Sequence, residues 1–100
     1  MPEKKVIRVK HHPLGYWIAW VRGTRRSYRD RSSVEALGKL VIKEFALLLA
    51  NHEIKFQRYP NTWVAYIDSC PGISGRGNTR RFAVGCLVKW YQEAFNLNVL

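Results

Sequence analysis

Aliphatic and basic residues alternate in Lys5–His11, with the period of two that is typical of a half-buried strand. The Pro13-Leu14-Gly15 segment predicts a short turn. Residues 16–21, rich in aromatic and β-branched side chains, predict the second strand of a hairpin. Apolar residues occupy both parities of this second strand, so we expect both of its faces to be covered. A weaker third strand, polar and basic, is predicted over residues 24–30.

A helical periodicity follows the third strand. Ser32 and Glu35 have the spacing of a capping box, in which the serine caps the Glu35 amide and the glutamate reaches back. Apolar residues then recur at helical spacing, which predicts a helix to about residue 50 with Asn51 near its C-terminal cap. The apolar stripe consists of Leu37, Leu40, Val41, Phe45 and Leu48.

The same patterns return in the second half of the chain. Ile54–Tyr59 and Thr62–Ile67 predict a hairpin around Pro60, and residues 73–77 predict a third strand after a Cys70-Pro71-Gly72 turn signal. Asn78 or Thr79 is expected to cap a second helix. Its predicted apolar stripe is Ala83, Cys86, Leu87, Trp90, Tyr91 and Ala94.

Three blocks of the two halves match in order, which indicates an internal duplication. Residues 7–13 match residues 54–60 at an offset of 47, residues 17–21 match residues 63–67 at 46, and residues 32–41 match residues 79–88 at 47. A unit of about 45 residues is too small to bury a core alone. We therefore predict an α+β fold in which two tandem β-β-β-α units, residues 5–50 and 53–97, pack as one pseudo-symmetric domain over residues 1–100.

The pattern leaves open whether the strands form two three-stranded sheets or one merged six-stranded sheet. Gly38 and Gly85 lie at matching mid-helix positions. Each costs about 1 kcal/mol relative to alanine, so we expect each to permit the close approach of a strand or of the other helix. Trp17 and Trp63 are expected to pack in the core. Trp20 and Tyr66 should lie on the opposite strand face, which we interpret as the seam between the units.

Charge narrows the function classes. The chain has 17 Lys and Arg against 7 Asp and Glu, a formal net charge of +10. Such an excess favours a polyanionic partner, either nucleic acid or an acidic protein surface. Two cysteines without a CxxC pair or a nearby histidine, a charged N-terminus without an apolar segment after it, and short apolar runs predict a cytoplasmic protein with reduced thiols and no membrane contact.

Catalytic chemistry has little support in the pattern. The seven acidic residues are dispersed and no strand has two of them, so a paired-metal nuclease site is not expected. His11 and His12 are adjacent in or next to a strand and point to opposite faces, which excludes joint metal ligation. We predict a non-enzymatic protein with no metal and no cofactor. An RNA-cleaving enzyme that uses His11 or His12 is a third hypothesis.

Arginine-rich segments are the candidate binding residues. The first extends from Arg22 to Arg31, with spacing that suits contact with a phosphate backbone and Tyr28 placed to stack on one base. The second extends from Arg76 to Arg81, where Gly75 and Gly77 precede a helix N-terminus that favours anions. The predicted nucleic-acid contacts are Arg22, Arg25, Arg26, Tyr28, Arg29, Arg31, Arg76, Arg80 and Arg81.

The second half has a series of short motifs, namely Ile54-Lys55-Phe56, Trp63-Val64-Ala65-Tyr66, Cys70-Pro71-Gly72-Ile73 leading to Gly77-Asn78-Thr79, and the helix from Ala83 to Val88. In these motifs residues 53–95 resemble the HicB-like antitoxin domain family. Residues 6–48 match more loosely. The family implies a β-β-β-α unit, sometimes described as a partial ribonuclease H fold. Such domains usually bind and block a small basic RNA-cleaving toxin, HicA, and many have a separate C-terminal DNA-binding segment.

Two departures bear on function. We expect no such DNA-binding segment, since the pattern up to Leu100 predicts none, and the chain is strongly basic, whereas an inhibitor of a basic toxin gains affinity from acidic residues. Our leading hypothesis is a non-catalytic HicB-like regulatory module that binds RNA or DNA through the arginine-rich segments, as a monomer or homodimer. The alternative is a protein-binding module, either an antitoxin-type inhibitor or an assembly subunit that contacts an acidic partner surface.

Overall fold

A computed structural model describes residues 4–49, 52–70 and 72–100. Within these residues the chain forms two β-sheets and two helices of three turns, so the predicted α+β class is confirmed. The elements are, in chain order, β1 Lys5–His11, β2 Trp17–Val21, β3 Ser27–Asp30, α1 Ser33–Lys43, the single turn α2 Phe45–Leu48, β4 Ile54–Tyr59, β5 Thr62–Ile67, β6 Ser74–Gly77, α3 Arg80–Trp90, a 3₁₀ turn Gln92–Phe95 and β7 Leu97–Val99.

The strands form two separate sheets. Sheet A has the order β3-β2-β1-β7, and sheet B has the order β4-β5-β6. Neighbouring strands are antiparallel, except that β7 runs parallel to β1. Helix α1 packs against sheet A, helix α3 packs against sheet B, and the two helices pack against each other.

The two hairpins have the same register at equivalent positions, meaning positions 46 or 47 residues apart. The central alanine of each hairpin shows this, because it pairs with equivalent residues on both neighbouring strands. Ala19 pairs with Val9 and Tyr28, and Ala65 pairs with Phe56 and Gly75. Both alanines are fully buried, which places these strand faces against the helices.

Both helices begin with the same type of cap. The Ser32 hydroxyl accepts a hydrogen bond from the Glu35 amide at 3.1 Å, and the Thr79 hydroxyl accepts one from the Phe82 amide, also at 3.1 Å. The predicted capping by Ser32 is therefore confirmed. The Glu35 carboxylate accepts from the Ser32 hydroxyl and from Arg31, and it is buried.

The two glycines lie where the helices cross. A Cβ on Gly38 would overlap the carbonyl oxygen of Arg81, and a Cβ on Gly85 would overlap the carbonyl oxygen of Val34. Since Val34 and Arg81 occupy equivalent positions, the contact is reciprocal. The seam between the halves is therefore this helix crossing, and the predicted seam on the Trp20 and Tyr66 strand face is wrong.

Three further features differ from the sequence-based expectation. Helix α1 ends at Lys43, and α2 is a separate turn after Glu44, while the predicted cap at Asn51 lies outside the described residues. Trp90, predicted in the apolar stripe of α3, is 74% exposed. Strand β7 was not expected, yet its Leu97 is buried in the core beside Phe95.

Candidate nucleic-acid interface

Sheet A has one face that none of the described elements covers. Successive strand residues point to opposite sides, and Ile7, Ala19 and Val21 point towards the helices and are buried. The side chains between them point away. This outer side, which we call the basic sheet face, comprises Arg8, Lys10, Ile18, Trp20, Arg22 and Arg29.

Trp20 lies at the centre of the basic sheet face. It pairs with Arg8 on β1 and with Ser27 on β3. Trp20 is half-buried, but it does not belong to the hydrophobic core cluster, whereas Trp17 packs against that cluster as expected. The expectation that both faces of β2 are covered is therefore wrong within this chain, and the indole is accessible to a ligand.

Ile18 extends the same surface towards the end of the sheet. It pairs with Lys10 on β1 and with Arg29 on β3, and both of these cations are exposed. Cross-strand neighbours lie about 5 Å apart at Cβ. Ile18 is therefore flanked by positive charge on both neighbouring strands, and Trp20 is flanked by it on the β1 side.

The cations of the basic sheet face have no carboxylate partner among the described residues. The ion pairs of the described chain are Lys4–Glu93, Arg26–Glu44, Arg31–Glu35, Lys55–Asp68 and Arg81–Asp30. None of these pairs includes a residue of the basic sheet face. Its positive charge is therefore available to an external anion.

Two of the nine predicted contact residues, Arg22 and Arg29, lie on this face. The Arg22 amide donates to the Val6 carbonyl at 2.9 Å, which continues the pairing of β2 with β1 by one residue. The Arg29 guanidinium carbon lies 5.2 Å from the centre of the Tyr16 ring, an arrangement that orients the side chain without neutralising it. The sequence reasoning missed Arg8, Lys10 and Trp20, although the alternation in β1 and the hairpin register place them together.

Arg25, Arg26 and Tyr28 lie elsewhere, the two arginines in the segment before β3 and Tyr28 within β3 on the side that faces the helices. Arg25 is exposed in that segment, and Arg26 forms an ion pair with Glu44 at 3.2 Å. The Tyr28 ring packs on the core, and its hydroxyl donates to Glu44 Oε1 at 2.7 Å. In this structure Tyr28 is therefore a core residue on the helix side of sheet A, away from the cations of the basic sheet face.

Arg31 and Arg81 are engaged with acidic residues. Arg31 makes two contacts with the Glu35 carboxylate, at 2.9 and 3.1 Å, and Glu35 raises the pKa of Arg31. Arg81 Nε lies 2.8 Å from Asp30 Oδ2, joining the start of α3 to the end of β3. Both arginines therefore act within the fold. Arg31 contacts the first turn of α1, and Arg81 connects the two halves.

Arg76 and Arg80 belong to the second half. Arg76 is exposed on the outer side of sheet B, opposite Val64. Arg80 instead lies on the side of the sheet that faces the helices, with its guanidinium carbon 4.6 Å from the centre of the Trp63 ring. Gly75, expected to help cradle an anion, is buried against the backbone of α3, where a Cβ would overlap the Ala83 carbonyl oxygen.

The outer side of sheet B has a related but weaker layout. Tyr66 occupies the position equivalent to Trp20, Val64 that of Ile18, and Lys55 that of Arg8. Lys55 forms an ion pair with Asp68, and its hydrogen bond to the Asp68 carboxylate raises the pKa of Lys55. Sheet A therefore has the stronger positive field.

Comparisons with known proteins identify no relative from which a function could be transferred. No protein-family model, curated protein or solved structure matches the chain. Within the described residues, no group of three or more His, Cys, Asp or Glu side chains is placed to hold a metal ion. None of the described helices is long and apolar enough to cross a membrane.

Replacing Tyr28 with phenylalanine should change the acid stability of the protein. The Tyr28 hydrogen bond is the main reason that the pKa of Glu44 lies below its ordinary value of 4.5, with a contribution from Arg26. A carboxylate with a lowered folded-state pKa stabilises the fold above its ordinary pKa, and this stabilisation is lost as the pH falls through the lowered value. The difference in unfolding free energy between wild type and Tyr28→Phe should therefore shrink as the pH falls below 4.5.

Urea unfolding from pH 7 down to pH 3 measures this difference. A carboxyl titration followed by NMR should also show the pKa of Glu44 rising in the variant. A free-energy difference that stays constant over this pH range would show that the ionised Glu44 is not the partner that makes Tyr28 stabilising.

Proposed function

We propose that this protein is a non-catalytic module that binds single-stranded RNA or DNA on the basic sheet face. The observation that supports this most directly is an accessible indole, Trp20, within an exposed sheet surface whose cations have no carboxylate partner in the described chain. Every nucleobase has a π-face that can stack on an aromatic ring, and each phosphate supplies an anion for a neighbouring cation. A sheet surface with both features suits an unpaired strand.

The arrangement of the cations on the basic sheet face also supports a single-stranded ligand. Arg8 and Lys10 lie two residues apart on β1, and Arg29 lies across β2 from them. Cations on both sides of the apolar pair of Ile18 and Trp20 can contact successive phosphates while bases lie on the apolar centre. Stacking of this kind needs unstacked bases, which a duplex does not offer.

We also propose that the chain is a duplicated HicB-like unit. The identical hairpin registers, the equivalent caps at Ser32 and Thr79, and the reciprocal contacts of Gly38 and Gly85 support a duplication. The resemblance of the second half to HicB-like domains supports the family. On this proposal the basic sheet face of the first unit is the part that changed its ligand, from a toxin to a nucleic acid.

Binding to a labelled single-stranded oligonucleotide, measured over a series of salt concentrations, tests the function. Each phosphate contact contributes a slope of about −0.7 to the logarithm of affinity against the logarithm of salt concentration for a single strand. If Arg8, Lys10, Arg22 and Arg29 each contact one phosphate, the expected slope is roughly −3.

No measurable binding at low salt would overturn the proposal. Binding to a duplex that is as tight as binding to a single strand would contradict the role of base stacking. A defined protein that co-purifies with the untagged chain in place of nucleic acid would favour the protein-binding alternative.

A further inference from the structure

A cavity of about 230 Å³ lies beside Trp17, on the opposite side of sheet A from the basic sheet face. Its walls are mostly apolar and include Val9, Trp17, Val34 and Leu37, while Ser33, Lys89 and Gln92 supply polar groups. Val9 and Trp17 pack against the core at its floor. The cavity therefore lies where the start of α1 meets the end of α3 and the hairpin of sheet A.

In the second half, a side chain of the protein itself lies over the equivalent indole. Arg80, the first residue of α3, lies over Trp63 at 4.6 Å and over Phe56 at 5.4 Å. By register, Trp63 is equivalent to Trp17 and Phe56 to Val9. The residue equivalent to Arg80 is Ser33, whose side chain is too short to cover the indole.

The chain thus contains two indoles at equivalent positions, and each is contacted by the residue paired with it, His11 at 4.8 Å for Trp17 and Arg58 at 5.1 Å for Trp63. Trp63 is also covered by the Arg80 guanidinium, whereas Trp17 has no such cover from α1 and lines the cavity. The contact of Arg80 with Trp63 shows that a flat group can stack on the indole at this position. We expect the cavity at Trp17 to accept a flat group in the same way. A cavity of this size is below the roughly 300–1,000 Å³ of sites for drug-sized ligands, so a single ring system is the appropriate occupant.

The charge beside the cavity indicates which planar group would bind. Lys89 is exposed and has no carboxylate partner among the described residues. A cation at this position repels a second guanidinium and attracts a phosphate. We infer that the cavity binds the base of a nucleotide, stacked on Trp17, with its phosphate towards Lys89. This inference rests on the proposed function and adds a second subsite to it.

The Ser33→Arg variant tests the inference, because its side chain should cover Trp17 as Arg80 covers Trp63. The indole N–H resonance of Trp17 is followed by NMR while adenosine or uridine monophosphate is added to about 5 mM, enough to detect a weak site. In wild type the resonance should shift. In Ser33→Arg the affinity should fall about tenfold or more, because the stacking surface is occupied.

Arg80→Ser is the matched control, since it changes the equivalent position of the other half. It should retain the shift at Trp17. It should also expose the part of the Trp63 ring that Arg80 covers, while Arg58 remains 5.1 Å from the ring centre, so the Trp63 resonance should then respond as well. Lys89→Glu tests the phosphate contact, because it reverses the charge at the cavity and leaves the apolar walls unchanged. It should weaken nucleoside monophosphates more than the uncharged nucleosides, whereas Lys43→Glu should affect neither.

The failures of the two proposals are distinguishable. If the oligonucleotide binds with the expected salt dependence but neither mononucleotide shifts Trp17, or Ser33→Arg binds as tightly as wild type, the cavity inference is wrong and the basic sheet face stands. If the oligonucleotide does not bind at low salt, the proposed function itself is wrong.

Discussion

Replacing Gly38 with alanine is expected to destabilise the folded protein by about 3 kcal/mol or more. The added Cβ would overlap the Arg81 carbonyl oxygen and crowd the Gly85 amide, both of which are backbone atoms. Backbone atoms of a packed helix cannot rotate away as a flexible side chain can. The helices must therefore separate, which also loosens the core between them.

The sign of the measured change makes this prediction decisive. In an isolated helix a glycine-to-alanine substitution stabilises by about 1 kcal/mol, so a helix that is not closely approached would give the opposite result. Urea unfolding of Gly38→Ala, Gly85→Ala and wild type gives the free energies of unfolding. They are compared with the same slope of free energy against urea concentration for all three proteins. Lys43→Ala, at an exposed position on the same helix, is the control and should change stability little. A stabilised Gly38→Ala variant would contradict the helix crossing.

Replacing Arg8, Trp20 and Arg29 together with alanine should nearly abolish binding of a single-stranded oligonucleotide. Loss of one stacked base costs about 1–3 kcal/mol, or roughly 5- to 150-fold in affinity. Loss of two phosphate contacts should also reduce the salt slope by about 1.4. The three side chains are exposed or half-buried and lie outside the core cluster, so the variant should fold.

A matched triple variant separates a specific surface from general positive charge. Lys43→Ala, Arg58→Ala and Trp90→Ala remove two cations and one exposed tryptophan elsewhere on the protein. Both variants have the same net charge. The control should retain most of the affinity, measured by fluorescence anisotropy at one salt concentration. Equal losses in the two variants would show that the basic sheet face has no special role.

The local elements follow closely from the sequence, since their causes lie within a few residues. Strands β1 and β5 have the bounds that alternation and β-propensity predict, and the caps at Ser32 and Thr79 start the helices where their side chains can accept an amide hydrogen bond. The boundary of β3 was less accurate. Residues 24–26 were expected in the strand but form the turn before it, because a polar segment has no apolar alternation to define its start.

The candidate site was predicted only in part, because charge along the chain does not show where each cation points. Arg29 and Arg22 were expected as contacts and lie on the basic sheet face. Arg26 and Arg31 looked equally available, yet each lies beside a carboxylate that tertiary packing brings near, Glu44 or Glu35. A pattern of arginines identifies a basic segment, whereas the ion-pair partners decide which of its members remain available.

Alternation, caps and the internal repeat are properties of the sequence, and they were enough to predict an α+β chain with two similar halves. Tertiary structure decided how those halves meet. The reciprocal crossing at Gly38 and Gly85, the addition of β7 beside β1, and the open outer side of sheet A all depend on contacts between residues far apart in the chain. Such contacts are set by shape and burial of whole elements, so no local pattern specifies them.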